Sequence, residues 1–262
     1  GYIKFDETNV PRFSMDVYGT GLYPTQQVFK YPKAGDPNAQ VSLHLYDLES
    51  EKTSNVDLSG YNSYYIPRIK WTQDTNVLSV QTTNRKQNTI DLIFVDANKN
   101  QTSLVLQEKD DAYVDVTDNL TFFKDNSFIW TSEKDGYNHI YHYDFNGRLI
   151  NQITNGTWEV TKYYGFNKEK KAIYYQSVEN GSINRGVYSI GLDGTNKKLL
   201  SNNIGTNTAA FSRNLNYFIN THSSSETPPT FSLYAAEGEM IKVIKDNAPL
   251  QEKLTDYKMS QK

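Results

Sequence analysis

Four histidines, a serine run and a few carboxylate clusters are the groups in this 262-residue chain whose types could do chemistry. His222 precedes Ser223-Ser224-Ser225, the residue types of a serine nucleophile and its base. A working pair needs a third group to orient the base and a Gly-x-Ser-x-Gly elbow to expose the serine. The chain has no such elbow, so the run reads as a solvated loop. His139 and His142 are three positions apart. On a strand they point to opposite faces and cannot chelate one metal together. They read as packing and hydrogen-bonding residues, and His44 as an ordinary strand residue. Asp96-x-Asn98-x-Asn100 copies the start of a calcium loop, but Gln101 stands where the turn needs Gly and Gln107 where a bidentate Glu belongs. It reads as a polar hairpin turn. With no cysteine, neither a disulfide nor a thiol nucleophile exists here. These patterns assign no catalytic residue, no metal and no cofactor.

Three further sets remain. Asp110-Asp111-Ala112-Tyr113-Val114-Asp115 is either a crossover with solvated acids or, through its aromatic ring, the border of a binding site. Arg68, Arg85 and Arg185 are suited to pairing with carboxylates between sheets. Trp71, Trp130 and Trp158 fall at similar points of successive segments and read as rings stacked between sheets.

The elements that hold these residues repeat. Tyr46-Asp47, Val95-Asp96, Tyr143-Asp144 and Leu192-Asp193 punctuate the chain, and their Asp residues are 49, 48 and 49 positions apart. A weaker fifth copy is Phe231-Ser232-Leu233-Tyr234 followed by Glu237-Gly238-Glu239. Several strands per period of ~40–50 residues is the pattern of a β-propeller. The chain is therefore expected to be all-β, with about four full four-stranded blades plus a partial one in a single domain over 1–262. The partial blade spans about 2–60, the full blades about 65–108, 113–155, 158–201 and 208–246, and a tail 247–262. Strands are expected over Ile66–Trp71, Val77–Thr83, Thr89–Val95, Thr102–Leu106, Phe128–Thr131 and His139–Tyr143. Asp16–Asp36, with three Gly and two Pro, reads as a long connection. Helical spacing is confined to Pro249–Lys258, where Leu250, Leu254 and Tyr257 recur at i, i+4 and i+7.

Twenty Tyr and twelve Phe suit pleated, half-buried surfaces. A net charge of −3 gives no basic footprint for nucleic acid. No run of ~18 apolar residues could span a membrane, so no membrane contact is expected of this segment. Gly1 before Tyr2-Ile3-Lys4 reads as the remnant of a cleaved tag.

Five segments occur in order along the chain: Tyr31-Pro32-Lys33-Ala34-Gly35, Tyr65-Ile66-Pro67-Arg68-Ile69-Lys70-Trp71, Asn84-Arg85-Lys86-Gln87-Asn88, Trp130 to Tyr141, and Thr154-Asn155-Gly156-Thr157-Trp158-Glu159-Val160. Together they resemble the N-terminal propeller domain of dipeptidyl peptidase IV-type enzymes, a branch of the prolyl oligopeptidase-type serine peptidases. The resemblance implies an eight-bladed parent propeller capping a C-terminal α/β-hydrolase domain. The parent would release N-terminal dipeptides with Pro or Ala second, as a secreted, periplasmic or membrane-anchored protein, commonly a homodimer. It places Tyr113 at the edge of the substrate pocket. The family's paired Glu residues, which grip the peptide's α-amino group, would lie just upstream of Tyr2, and no Glu-Glu occurs here. A substrate-binding Arg lies further upstream, and the Ser, Asp and His triad beyond Lys262. The segment is thus expected to be truncated at both ends, to gate and position peptide substrate, to be inactive alone and to self-associate through open edges. The alternative is a non-catalytic propeller that scaffolds a protein or peptide.

Overall fold

The β-branched and aromatic runs, and the Asn, Asp and Gly turns between them, fold into an almost purely β structure. This computed structural model describes residues 1–257. The elements fall into two compact units, 1–116 and 117 onward.

In the first unit, β1 (Tyr2–Asp6) is followed by a hairpin of β2 (Arg12–Val17) and β3 (Thr25–Lys30), then β4 (Gln40–Tyr46) and β5 (Thr53–Val56). β1, β4 and β5 form a three-stranded antiparallel sheet. β6 (Tyr65–Trp71), β7 (Val77–Thr83), β8 (Thr89–Asp96) and β9 (Gln101–Lys109) form a four-stranded meander. Its middle strands are almost wholly buried and β9 is largely exposed. Leu43, Leu45 and Val56 pack against Leu78, Val80 and Ile93 to make the unit's core. Each such side chain contributes roughly 1.5–3 kcal/mol on leaving water.

Two expectations are corrected here. The segment Asp16–Asp36 is not a plain connection, because the end of β2 and all of β3 lie in it, paired from Arg12↔Lys30 to Val17↔Thr25. Nearly every residue of this hairpin is exposed. With neither face buried, its side chains carry no alternation to betray it. Trp71 is 43% exposed and is no buried stacking partner. Trp130 is fully buried, and Trp158 stacks on Tyr175 at 6.4 Å and 9°.

The second unit holds three four-stranded antiparallel sheets. They comprise β10 (Thr121–Phe122), β11 (Phe128–Ser132), β12 (His139–Tyr143) and β13 (Leu149–Gln152); β14 (Val160–Asn167), β15 (Ala172–Ser177), β16 (Gly186–Gly191) and β17 (Lys198–Leu199); and β18 (Thr206–Phe211), β19 (Tyr217–Ser223), β20 (Thr230–Ala235) and β21 (Met240–Lys245). Ile129, Ile140, Ile173 and Tyr175 join the first two sheets in one core, and Tyr174, Val187, Ala209 and Phe218 join the last two. The helix α1 (Ala248–Leu254) buries no residue. Leu250 is 46% and Tyr257 69% exposed, so the helical spacing there buries no apolar face, although Gln251 Nε2 donates to the Glu226 carbonyl (3.1 Å), and Lys258 lies outside the described residues.

The repeat has a local cause. Each period's Asp closes the turn after its sheet's next-to-last strand by accepting backbone N–H groups. Asp47 takes that of Ser50 (2.6 Å), Asp96 those of Asn98 and Lys99 (both 3.0 Å), Asp144 those of Asn146 and Arg148 (both 2.9 Å), and Asp193 that of Thr195 (3.0 Å). Short polar side chains that bond the backbone two or three residues on are suited to such turns. The Ser50 hydroxyl and then its N–H hold Asp47 below the usual carboxylate range, and the N–H groups of Lys99 and Thr195 do so for Asp96 and Asp193.

Candidate functional site

Three segments picked out above meet at one end of the β6–β9 sheet. The β7–β8 turn is locked by Asn84 and Asn88: the Asn84 Nδ2 donates to Asn88 Oδ1 (2.8 Å), and the Asn88 N–H donates back to Asn84 Oδ1 (3.1 Å). From this turn Arg85 donates to the Tyr64 hydroxyl and to the Asp36 carbonyl (3.2 Å), its guanidinium 5.3 Å from the Tyr64 ring centroid. These contacts tie the turn to the segment that follows Tyr31–Gly35. Arg85 therefore bonds a hydroxyl and a backbone carbonyl, not a carboxylate.

The loop after β9 folds onto the same turn. The Asp110 N–H donates to the Asn88 carbonyl (3.1 Å) and the Val114 N–H to the Gln87 carbonyl (3.0 Å). The Tyr113 hydroxyl donates to Gln87 Oε1 (3.3 Å) and its ring is 50% exposed. Asp110, Asp111 and Asp115 on the same loop are exposed. Two accessible phenol rings, a guanidinium and these carboxylates make a surface able to stack and hydrogen-bond a polar chain. It has no nucleophile beside a base.

The remaining candidates serve the fold. His139 Nε2 donates to the Gly156 carbonyl (3.0 Å), which leaves Nδ1 to accept from the Thr154 hydroxyl (3.1 Å). His222 Nδ1 donates to Oδ1 of the fully buried Asn207 (3.1 Å). Ser224 Oγ takes the N–H groups of Glu226 (3.2 Å) and Thr227 (3.1 Å), closing the β19–β20 loop. Asp96 also pairs with Lys99 at 3.2 Å within its turn, and Asn100 Nδ2 donates to the Asn55 carbonyl (2.9 Å). Arg68 donates to the Pro67 carbonyl (2.7 Å). Arg185 contributes its backbone, the N–H donating to the Gly205 carbonyl (2.9 Å). Among the described residues no three His, Asp or Glu side chains converge as a metal would require.

One constellation escaped the sequence reading. Ser127 lies between Asp125 and His142, with Oγ 2.7 Å from Asp125 Oδ1 and 3.0 Å from His142 Nε2. The Ser127 hydroxyl proton goes to the carboxylate, so the imidazole donates to the serine oxygen. That is the reverse of the polarity a nucleophile needs. Burial lowers the His142 pKa, with Asp125 and Asn151 pulling the other way. The trio depends on the β11–β12 register, which pairs Phe128 with Tyr143, and residue spacing alone carries no signal of it.

Among the described residues no helix is long and apolar enough to cross a membrane. The profile of the family described as "Dipeptidyl peptidase IV (DPP IV) N-terminal region" matches residues 1–229. Two "Dipeptidyl peptidase 4" relatives, from Trichophyton equinum and Arthroderma otae, are 27% and 28% identical over 276 residues, 98% of this chain and 35% of each relative. The crystal structure of Porphyromonas gingivalis dipeptidyl peptidase 4 superposes with a TM-score of 0.88 at 40% identity, over 98% of this chain and 37% of that one. This chain thus spans little more than a third of the length of the relatives it matches. The four-stranded sheets are the blades of a β-propeller, and the chain belongs to the dipeptidyl peptidase IV N-terminal region family.

Proposed function

We propose that this chain is the substrate-gating and positioning propeller segment of a serine exopeptidase that releases N-terminal Xaa-Pro and Xaa-Ala dipeptides. The match to the family profile over residues 1–229 carries this reading, and relatives named dipeptidyl peptidase 4 support it. Acyl transfer would occur on an α/β-hydrolase domain of the longer protein. The blades would admit and orient peptide, a contribution made through geometry rather than bond making. Tyr113 would form part of the pocket's edge. Its exposed ring, anchored by a turn that two asparagines lock, supports that role. Secretion or membrane anchoring of the longer protein belongs to the same reading.

In the full-length protein Tyr113→Ala should raise KM for Gly-Pro-p-nitroanilide roughly three- to tenfold, the loss of one aromatic contact of ~1 kcal/mol, with kcat within twofold. An unchanged KM would remove Tyr113 from the pocket.

The longer protein would also be a homo-oligomer. The β2–β3 hairpin supports this, since it pairs with no other strand and exposes Met15, Val17, Tyr18, Leu22, Tyr23 and Val28. Met15 and Val17 lie on one face of the hairpin and Val28 on the other, and exposed apolar side chains beside unpaired strand edges are available to a second chain.

A further inference from the structure

A second site lies wholly within the second unit. The β10–β11, β14–β15 and β16–β17 turns enclose an open groove of about 950 Å³, a volume that suits a small organic molecule. Its floor is apolar. Phe123 and Phe166 meet edge to face at 4.7 Å, and Ile190 and Leu192 complete the lining. Its rim is cationic, with Lys124 on one turn and Lys168, Lys170 and Lys171 on the next.

The charges on this lining do not cancel. Lys170 is held by Glu237, whereas Lys124, Lys168 and Lys171 make no ion pair among the described residues. The two lining carboxylates keep their charge but aim Oδ1 into their own turns, and four lysines outnumber them. Asp125 Oδ1 takes the Ser127 N–H (3.0 Å) and hydroxyl (2.7 Å), and Asp193 Oδ1 takes the Thr195 N–H (3.0 Å) and hydroxyl (2.8 Å). Three free ammonium groups therefore border an apolar floor in a chain whose net charge is −3. A ligand gains there only if it has both an apolar body to cover the rings and a negative group to meet the ammonium ions.

We propose that this groove binds a small amphipathic organic anion, with its aromatic or aliphatic body on Phe166 and Leu192 and its carboxylate, sulfonate or phosphate at Lys124, Lys168 and Lys171. Tyr113 is not among the residues that line this groove.

Titration of the whole chain with 8-anilinonaphthalene-1-sulfonate, followed by its fluorescence, tests this. Saturable binding is expected, displaced by decanoate and not by decyltrimethylammonium. The double variant Lys124→Glu/Lys168→Glu, on exposed turn positions, should weaken binding at least tenfold, about 1.4 kcal/mol. The control Lys242→Glu/Lys245→Glu, on the exposed β21, should leave it unchanged. Equal weakening by both variants, displacement by the cationic detergent, or no saturable signal would each overturn the proposal. So would binding of a Glu-rich peptide with no competition from decanoate. Matching circular dichroism spectra and melting temperatures show that the variants fold, and backbone amide shifts confined to 166–171 and 190–196 would give the location independently.

Discussion

His142 and His222 are both kept neutral by the fold, since burial lowers each pKa and in His142 outweighs the pull of Asp125 and Asn151. The unfolded chain binds those protons near pH 6.5, and the folded chain resists them. Their contribution is therefore fully present above about pH 6.5 and is lost as pH falls from there toward the depressed folded values. Tyr163 acts at the other limit, together with Tyr164, Tyr174, Tyr175, Tyr188 and Tyr234, which burial also raises. Burial pushes Tyr163 up to about 12, with Thr121 pulling weakly downward. The unfolded side chain ionises near 10, so this contribution is complete below pH 10 and is lost as pH rises from 10 to 12. Melting temperatures should thus fall below pH 6.5 and above pH 10, and His142→Gln and Tyr163→Phe should flatten the acid and alkaline limbs respectively. Limbs that keep their slope in these variants would refute the assignments. The opposed faces of His139 and His142 were legible in the sequence, because strand alternation alone dictates them. The Ser127–His142 contact was not, because it needs the pairing register of β11 and β12.

At the scale of elements, β7 and β12 match their expected spans residue for residue, and β6 and β8 match to within one. Each is bounded by turn residues, and β7, β8 and β12 are almost wholly buried. The β2–β3 hairpin was hidden because most of its residues are exposed, and its Gly and Pro content mimics a connection. Asp47, Asp96, Asp144 and Asp193 announced the period because their carboxylates make the turns, although the sequence could not show which N–H groups they bind. One turn can be tested directly. Gly205 has φ +86°, and a Cβ there would lie 2.5 Å from the Ser223 carbonyl oxygen and 2.9 Å from the His222 ring. Positive φ and a backbone clash act together, so Gly205→Ala should cost at least ~2 kcal/mol in urea denaturation. A loss under ~0.5 kcal/mol would mean that the β17–β18 connection adjusts freely.

At the scale of the whole molecule, fold class and family were legible because five segments lie in order along the chain, and the profile match covers residues 1–229. What the blades hold was less so. The groove over Phe123 and Phe166 draws its lysines from turns more than forty residues apart, which no local pattern joins. Self-association is a property of this scale too. Light scattering of the chain should give at least twice the monomer mass, and Val17→Lys/Leu22→Lys/Val28→Lys should return it to monomer. A wild-type monomer at all concentrations would remove the hairpin's proposed role. The central claim is that these blades serve a dipeptidyl peptidase, and the most direct measurement is hydrolysis of Gly-Pro-p-nitroanilide by the full-length protein and by this chain alone. The account predicts cleavage by the full-length protein, abolished by a serine-directed phosphonylating inhibitor, and none by the isolated chain. A folded full-length protein that leaves the substrate intact, or cleavage by this chain alone, would contradict it.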